Sequence, residues 1–140
     1  MAVVVLCGLP GSGKSTWCAS NLEASHVVVS KDRMKKARRK AARQARELRA
    51  ALAAGCSVVV DNTNLTVADR AAIVVIAREF GAPVEAVLVE APLATCLERN
   101  AARVGTTCVP EGILRGMARR FEPPTLAEGF VEVRIVVSVG

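Results

Sequence analysis

The chain is short of aromatic side chains: one Trp, three Phe and no Tyr among 140 residues. Aliphatic side chains and alanine must therefore build its core, and a hydrophobic content of 51% supplies them. It is equally short of histidine. His26 stands alone, so a zinc site is not expected, and the residue reads as a structural or surface histidine at the head of a short β-branched run. The five cysteines (Cys7, Cys18, Cys56, Cys96, Cys108) are odd in number and contain no C-x-x-C pair. They read as reduced thiols in a cytosolic protein, several of them small core residues, and not as a disulfide framework. No apolar run approaches the ~18 residues of a membrane span. The N-terminus has no basic segment ahead of its apolar run, so no secretion signal is expected. The length fits one domain over residues 1–140 with a core of its own.

What is abundant is positive charge, and it is concentrated. The net charge is +6, and ten of the nineteen Lys and Arg lie between Lys31 and Arg49, opposed only by Asp32 and Glu47. Such a block is either a solvated helix face or a contact for a polyanion.

The pattern of elements is strand alternating with helix. Ala2–Cys7, His26–Ser30, Ser57–Asp61, Val84–Glu90 and Phe130–Val137 are short runs rich in Val, Ile and Leu. Between them the spacing predicts helices over Lys14–Glu23, Asp32 to about Ala54, Val67–Phe80, Pro92–Ala102 and Pro110–Arg120. In the long second helix, Met34, Ala37, Ala41, Ala45, Leu48 and Leu52 would form one apolar stripe, closed by Gly55. The expected fold is α/β: a five-stranded, mostly parallel sheet with helices on both faces and a helical lid over about residues 99–110.

Gly8–Thr16 reads GLPGSGKST and fits G-x-x-x-x-G-K-[ST] between a strand and a helix, the context in which that pattern binds phosphate. Glycines let backbone N–H groups turn toward an anion, and the helix N-terminus completes a cradle. Gly8, Pro10, Gly11, Ser12, Gly13, Lys14, Ser15 and Thr16 are thus expected to hold a nucleoside triphosphate, with Lys14 on its β- and γ-phosphates and Ser15 on Mg²⁺. In a parallel α/β sheet ligands sit at the C-terminal ends of the strands. That rule gathers Ser30-Lys31-Asp32 and Asp61–Asn64 onto the same rim as the glycine loop.

Several of these residues allow two readings. Asp32 is a helix-capping acid or a base for an acceptor hydroxyl. Asp61 is a turn residue or a metal-binding acid at a strand end. Asn62, Thr63 and Asn64 make a turn or touch a substrate. Arg99 and Arg103 are surface arginines or a clamp on phosphate.

Taken in order, GLPGSGKSTW at Gly8–Trp17, SKDRMK at Ser30–Lys35, VDNTN at Val60–Asn64, ERNAAR at Glu98–Arg103 and TTCVP at Thr106–Pro110 resemble the kinase domain of polynucleotide 5′-kinases. FEPPTLAEGF at Phe121–Phe130 resembles the C-terminal segment of the animal kinase-phosphatases. The resemblance implies transfer of the γ-phosphate of ATP or another NTP, with Mg²⁺, to the 5′-OH end of DNA or RNA. It implies that Asp32 is the general base, Asp61 a metal residue, and Lys14, Arg99 and Arg103 catalytic groups on the phosphates. On the acceptor side it points to Lys35, Arg38, Asn62, Thr63, Asn64 and Arg70. Lys35 stands where the phage enzyme has a phosphate-binding arginine, a point charge in place of a bidentate fork. The basic block after Asp32 then reads as nucleic-acid contact. Two alternatives remain: a P-loop kinase of a small-molecule acceptor, and a nucleotide-dependent nucleic-acid-binding module without transferase activity.

Overall fold

The computed structural model describes residues 1–31, 34, 39–105 and 108–138. Five strands, β1 (Val3–Cys7), β2 (Val27–Val29), β3 (Val58–Asp61), β4 (Val84–Glu90) and β5 (Glu132–Val137), form one sheet in the order β2-β3-β1-β4-β5. Every pairing is parallel, with Val3 opposite Val58 and Val84, Val27 opposite Val58, and Glu85 opposite Glu132. β1 lies at the centre and all five of its residues are buried. A strand covered on both faces must be apolar on both, which is why VVVLC carries no alternation.

The helices α1 (Lys14–Asn21), α2 (Lys40–Ala53), α3 (Val67–Glu79), α4 (Leu93–Ala101) and α5 (Glu111–Arg120) connect the strands. Val3, Val5, Val58, Val60 and Ala86 pack with Leu48 and Leu52 of α2 and Ile73, Val74 and Ala77 of α3. The alternate residues Val4, Leu6, Val59, Val87 and Val89 pack with Cys18 and Trp17 of α1 on the other face. Period-two alternation thus divides one sheet between two helical layers. Among the described residues no helix is long and apolar enough to cross a membrane. Cys7, Cys18 and Cys96 are buried free thiols. Burial pushes the Cys7 thiol up to about 12, so it is no nucleophile at neutral pH.

The second helix differs from the expectation. It begins at Lys40, not Asp32, because Arg39 takes a left-handed conformation (φ 54°, ψ 53°) that no continuous α-helix passes through. Met34 is buried as expected, but beside the helix and not on it, with its N–H donating to Lys31 O at 3.1 Å. Ala41 is exposed, and the buried face of α2 is Gln44, Leu48 and Leu52. Ala37 lies outside the described residues. β2 is also shorter than the run His26–Ser30, and β5 begins at Glu132, after a buried Phe130. Within the Pro-containing stretch before it, Leu126–Glu128 form a 3₁₀ turn with a capping box between Thr125 and Glu128.

Candidate phosphate-binding site

β1 ends at Cys7 and the chain turns at once through Gly8–Gly13 into α1. Gly11 (φ +83°) and Gly13 (φ +99°) hold left-handed conformations, and Gly13 is the N-cap of α1. At Gly11 glycine is also required sterically, since a Cβ there would lie 2.6 Å from the backbone oxygen of Cys96 in α4. The first turn of α1 has no side-chain cap and no acid, which suits a helix N-terminus that meets an anion. Ser12 Oγ lies inside the loop, buried and without a hydrogen-bond partner. A buried unpaired hydroxyl is costly unless a ligand satisfies it, and a phosphate oxygen is the acceptor that this cradle would present. Pro10 is buried beside it, and Lys14 Nζ reaches back over the loop to 3.3 Å from Leu9 O.

Ser15 and Asp61 come together from two elements 46 residues apart. Ser15 Oγ donates to Asp61 Oδ2 at 3.1 Å, at the rim where α1 faces the end of β3. A hydroxyl and a carboxylate are hard oxygen ligands suited to Mg²⁺, so the pair fits that ion. The rest of the turn after β3 is braced. Thr63 O accepts from Gly8 N at 3.1 Å. Asn62 Oδ1 accepts from Lys31 N at 2.8 Å, and Asn62 Nδ2 donates to Gln44 Oε1 of α2. Lys31, two residues after β2, is thereby tied to the turn after β3.

Two residues assigned to the acceptor side do structural work instead. Asn64 is buried, and its amide donates to Leu6 O at 2.6 Å and Val60 O at 3.4 Å, bridging β1 and β3. Arg70 has no exposed surface. Its guanidinium makes a bidentate pair with Glu128 (2.8 and 3.1 Å), and its Nη1 donates to Asn64 O at 2.8 Å. A guanidinium enclosed in this way does not reach an acceptor strand. Asp32, Lys35 and Arg38 lie outside the described residues.

On the other side of the loop a cavity of about 460 Å³ opens between α1, α4 and the end of β5. Gly11, Gly13, Thr16, Trp17, Arg99 and Arg103 contribute to its wall. The volume lies within the ~300–1,000 Å³ common for small-molecule sites. Arg99 Nη1 donates to Gly11 O at 3.3 Å and to Ser138 Oγ at 2.9 Å, so it already lies across the loop. Arg103 follows the end of α4 and is exposed. Thr106 and Thr107, in the expected lid, lie outside the described residues. Sequence reasoning missed Trp17, Arg134, Ser138 and Gln44. Arg134 Cζ stands 5.8 Å from the Trp17 ring centroid, a cation–π contact on the wall side. Trp17 carried a signal, as the sole Trp and the next residue after the motif; Ser138 and Gln44 carried none.

A family model described as an AAA domain matches residues 3–124. The bifunctional polynucleotide phosphatase/kinase of Schizosaccharomyces pombe is 32% identical over 137 residues, covering 96% of this chain. The chain spans 33% of that protein. The crystal structure of a fungal RNA kinase matches with a TM-score of 0.73 and 18% identity, over 96% of this chain and 37% of that one. A gluconokinase from Sinorhizobium meliloti 1021 matches with a TM-score of 0.70 and 21% identity, over 99% and 83%. Both structural likenesses are of the fold, which is that of P-loop kinases.

Proposed function

The chain belongs to the AAA-domain family, and on that footing we propose that it is a polynucleotide 5′-hydroxyl kinase, passing the γ-phosphate of ATP to the 5′-OH end of DNA or RNA. The observation that carries this reading is the 2.8 Å hydrogen bond from Lys31 N to Asn62 Oδ1. It anchors Lys31, the residue directly before Asp32 in sequence, to the turn that follows Asp61, which supports a reading in which donor and acceptor residues meet at this end of the sheet.

In this reading the loop N–H groups, Ser12 Oγ and Lys14 hold the β- and γ-phosphates, and the base lies in the cavity beside Trp17. Ser15 and Asp61 would hold Mg²⁺, which when bound neutralises charge on the phosphates. Asp32 takes the proton from the 5′-OH as its oxygen attacks phosphorus in line. The bond from phosphorus to the β–γ bridging oxygen breaks, and ADP leaves. Lys14, Arg99 and Arg103 stabilise the negative charge on the transferring group. Lys35, Arg38, Asn62 and Thr63 line the acceptor side, and the exposed Arg39 and Lys40 extend the positive surface from it. Binding through such phosphate contacts falls steeply with salt.

Incubation with γ-labelled ATP and a 5′-OH oligonucleotide tests the reading, with label on the oligonucleotide as the expected result. Failure to transfer under any salt or divalent condition rejects it. A small-molecule kinase is the second reading, since a gluconokinase shares the fold over 99% of this chain and 83% of its own. Charge reversal separates the two. Arg39→Glu with Lys40→Glu should weaken oligonucleotide phosphorylation by about tenfold or more at low salt and leave a small acceptor unaffected.

A further inference from the structure

The sheet has one edge at β5, which bonds to β4 on its inner side. No strand of the described residues pairs with its outer side. A free edge is a template for another strand, and proteins usually blunt it with charged side chains, lysine above all, with proline or with a bulge. The run Val131–Val137 (VEVRIVV) contains neither Lys nor Pro. Val131, Ile135 and Val137 are 68, 61 and 67% exposed, among the most exposed large apolar residues of the protein.

We propose that this edge is an interface between two copies of the chain, with β5 pairing antiparallel to its counterpart about a two-fold axis normal to the sheet. Such an axis keeps each side chain on its own face, so a residue can oppose only one of the same parity. Centred on Val133, the pairing sets Glu132 against Arg134 of the second copy, and Val131, the residue just before the strand, against Ile135 of the second copy, each contact made twice. Centring on Glu132 or on Arg134 would set like charges directly opposite each other, which is unfavourable. Glu132 and Arg134 are both exposed, Arg134 with its guanidinium over the Trp17 ring. The strand is thus self-complementary in charge and in apolar pairing in one register, which points to a second copy and not to an unrelated strand as the occupant. Arg134 also stands beside Trp17, so the interface would adjoin the wall of the main cavity. The proposal does not depend on the identity of the acceptor.

Sedimentation velocity across the micromolar range tests it. The wild-type protein should move reversibly from monomer to dimer. Glu132→Arg alone and Arg134→Glu alone each replace attraction by repulsion at both symmetric contacts. Each should raise the dimer dissociation constant by about tenfold or more. The double variant Glu132→Arg/Arg134→Glu should restore the dimer. Ile135→Lys, at an exposed position, should give a monomer with unchanged circular dichroism and melting temperature. A wild-type protein that stays monomeric overturns the proposal. So do single swaps or an Ile135→Lys variant that leave the dimer intact, and so does a double swap as dissociated as the single ones.

Discussion

Ser15 and Asp61 meet across 3.1 Å although they lie 46 positions apart in the chain. The register of the sheet makes this contact. Asp61 pairs with Leu6, one residue before β1 ends and two before the loop begins. Replacing either residue should therefore act on divalent-ion dependence more than on folding. Ser15→Ala and Asp61→Asn should each lower phosphoryl transfer by about a hundredfold or more, with the loss partly recovered at high Mg²⁺. A steady-state assay titrated with Mg²⁺ against thermal melting distinguishes the two effects. Equal activity of Asp61→Asn at low Mg²⁺ would remove Asp61 from the metal site.

The pair Arg70–Glu128 makes the opposite prediction, for stability. Both groups are buried, and Glu128 is also the capping residue of the 3₁₀ turn, accepting from Thr125 N at 2.8 Å. Glu128→Gln leaves the guanidinium charge without its counterion and should cost about 3–5 kcal/mol. Denaturant titration measures this directly.

The same pair sets an acid limb. Burial pushes the Glu128 carboxyl up, but hydrogen bonds from Arg70 and Thr125 outweigh it and hold the group below the usual 4.5. The unfolded chain therefore takes up the proton more readily than the folded one. This part of the stability is fully present above about pH 4.5 and is lost as pH falls through the lower folded value. Glu128→Gln should flatten that limb, measured as melting temperature against pH. An unchanged slope would show that other carboxylates set it.

Gly11 ties loop shape to the position of α4. Gly11→Ala brings a Cβ against the backbone oxygen of Cys96 at 2.6 Å and demands a left-handed alanine. The backbone of α4 cannot yield cheaply. Nucleotide affinity should fall by about tenfold or more while the core stays folded, since the strain is about 1–3 kcal/mol and lies at the ligand. Fluorescence of Trp17, on the cavity wall, reports nucleotide binding.

The strands were legible because burial on both faces leaves runs such as VVVLC and SVVVD with no polar alternation to confuse them. The phosphate loop was legible because its glycines and Lys14 are set by local geometry. Arg70 was not. In sequence it is one arginine on an amphipathic helix, and the partner that buries it is 58 residues away in a Pro-containing stretch. Asn64 misled for the same reason: turn and substrate residues share a chemistry, and only the carbonyl of Leu6 shows which role it has. The start of α2 was misplaced because the apolar spacing continues through Arg39, whereas the backbone reverses its handedness there. Gln44 carried no signal in the sequence, because its partner Asn62 lies 18 residues away in another element.

In the proposed reaction Asp32 activates a 5′-hydroxyl against the phosphate held by the loop. The most direct test compares wild-type protein with Asp32→Asn, using γ-labelled ATP and oligonucleotides ending in 5′-OH or 5′-phosphate, with ATP binding measured in parallel. The wild type should label only the 5′-OH oligonucleotide, and Asp32→Asn should bind ATP as well but transfer label slower by about a hundredfold or more. No transfer by the wild type, or transfer by Asp32→Asn at the wild-type rate, would contradict it.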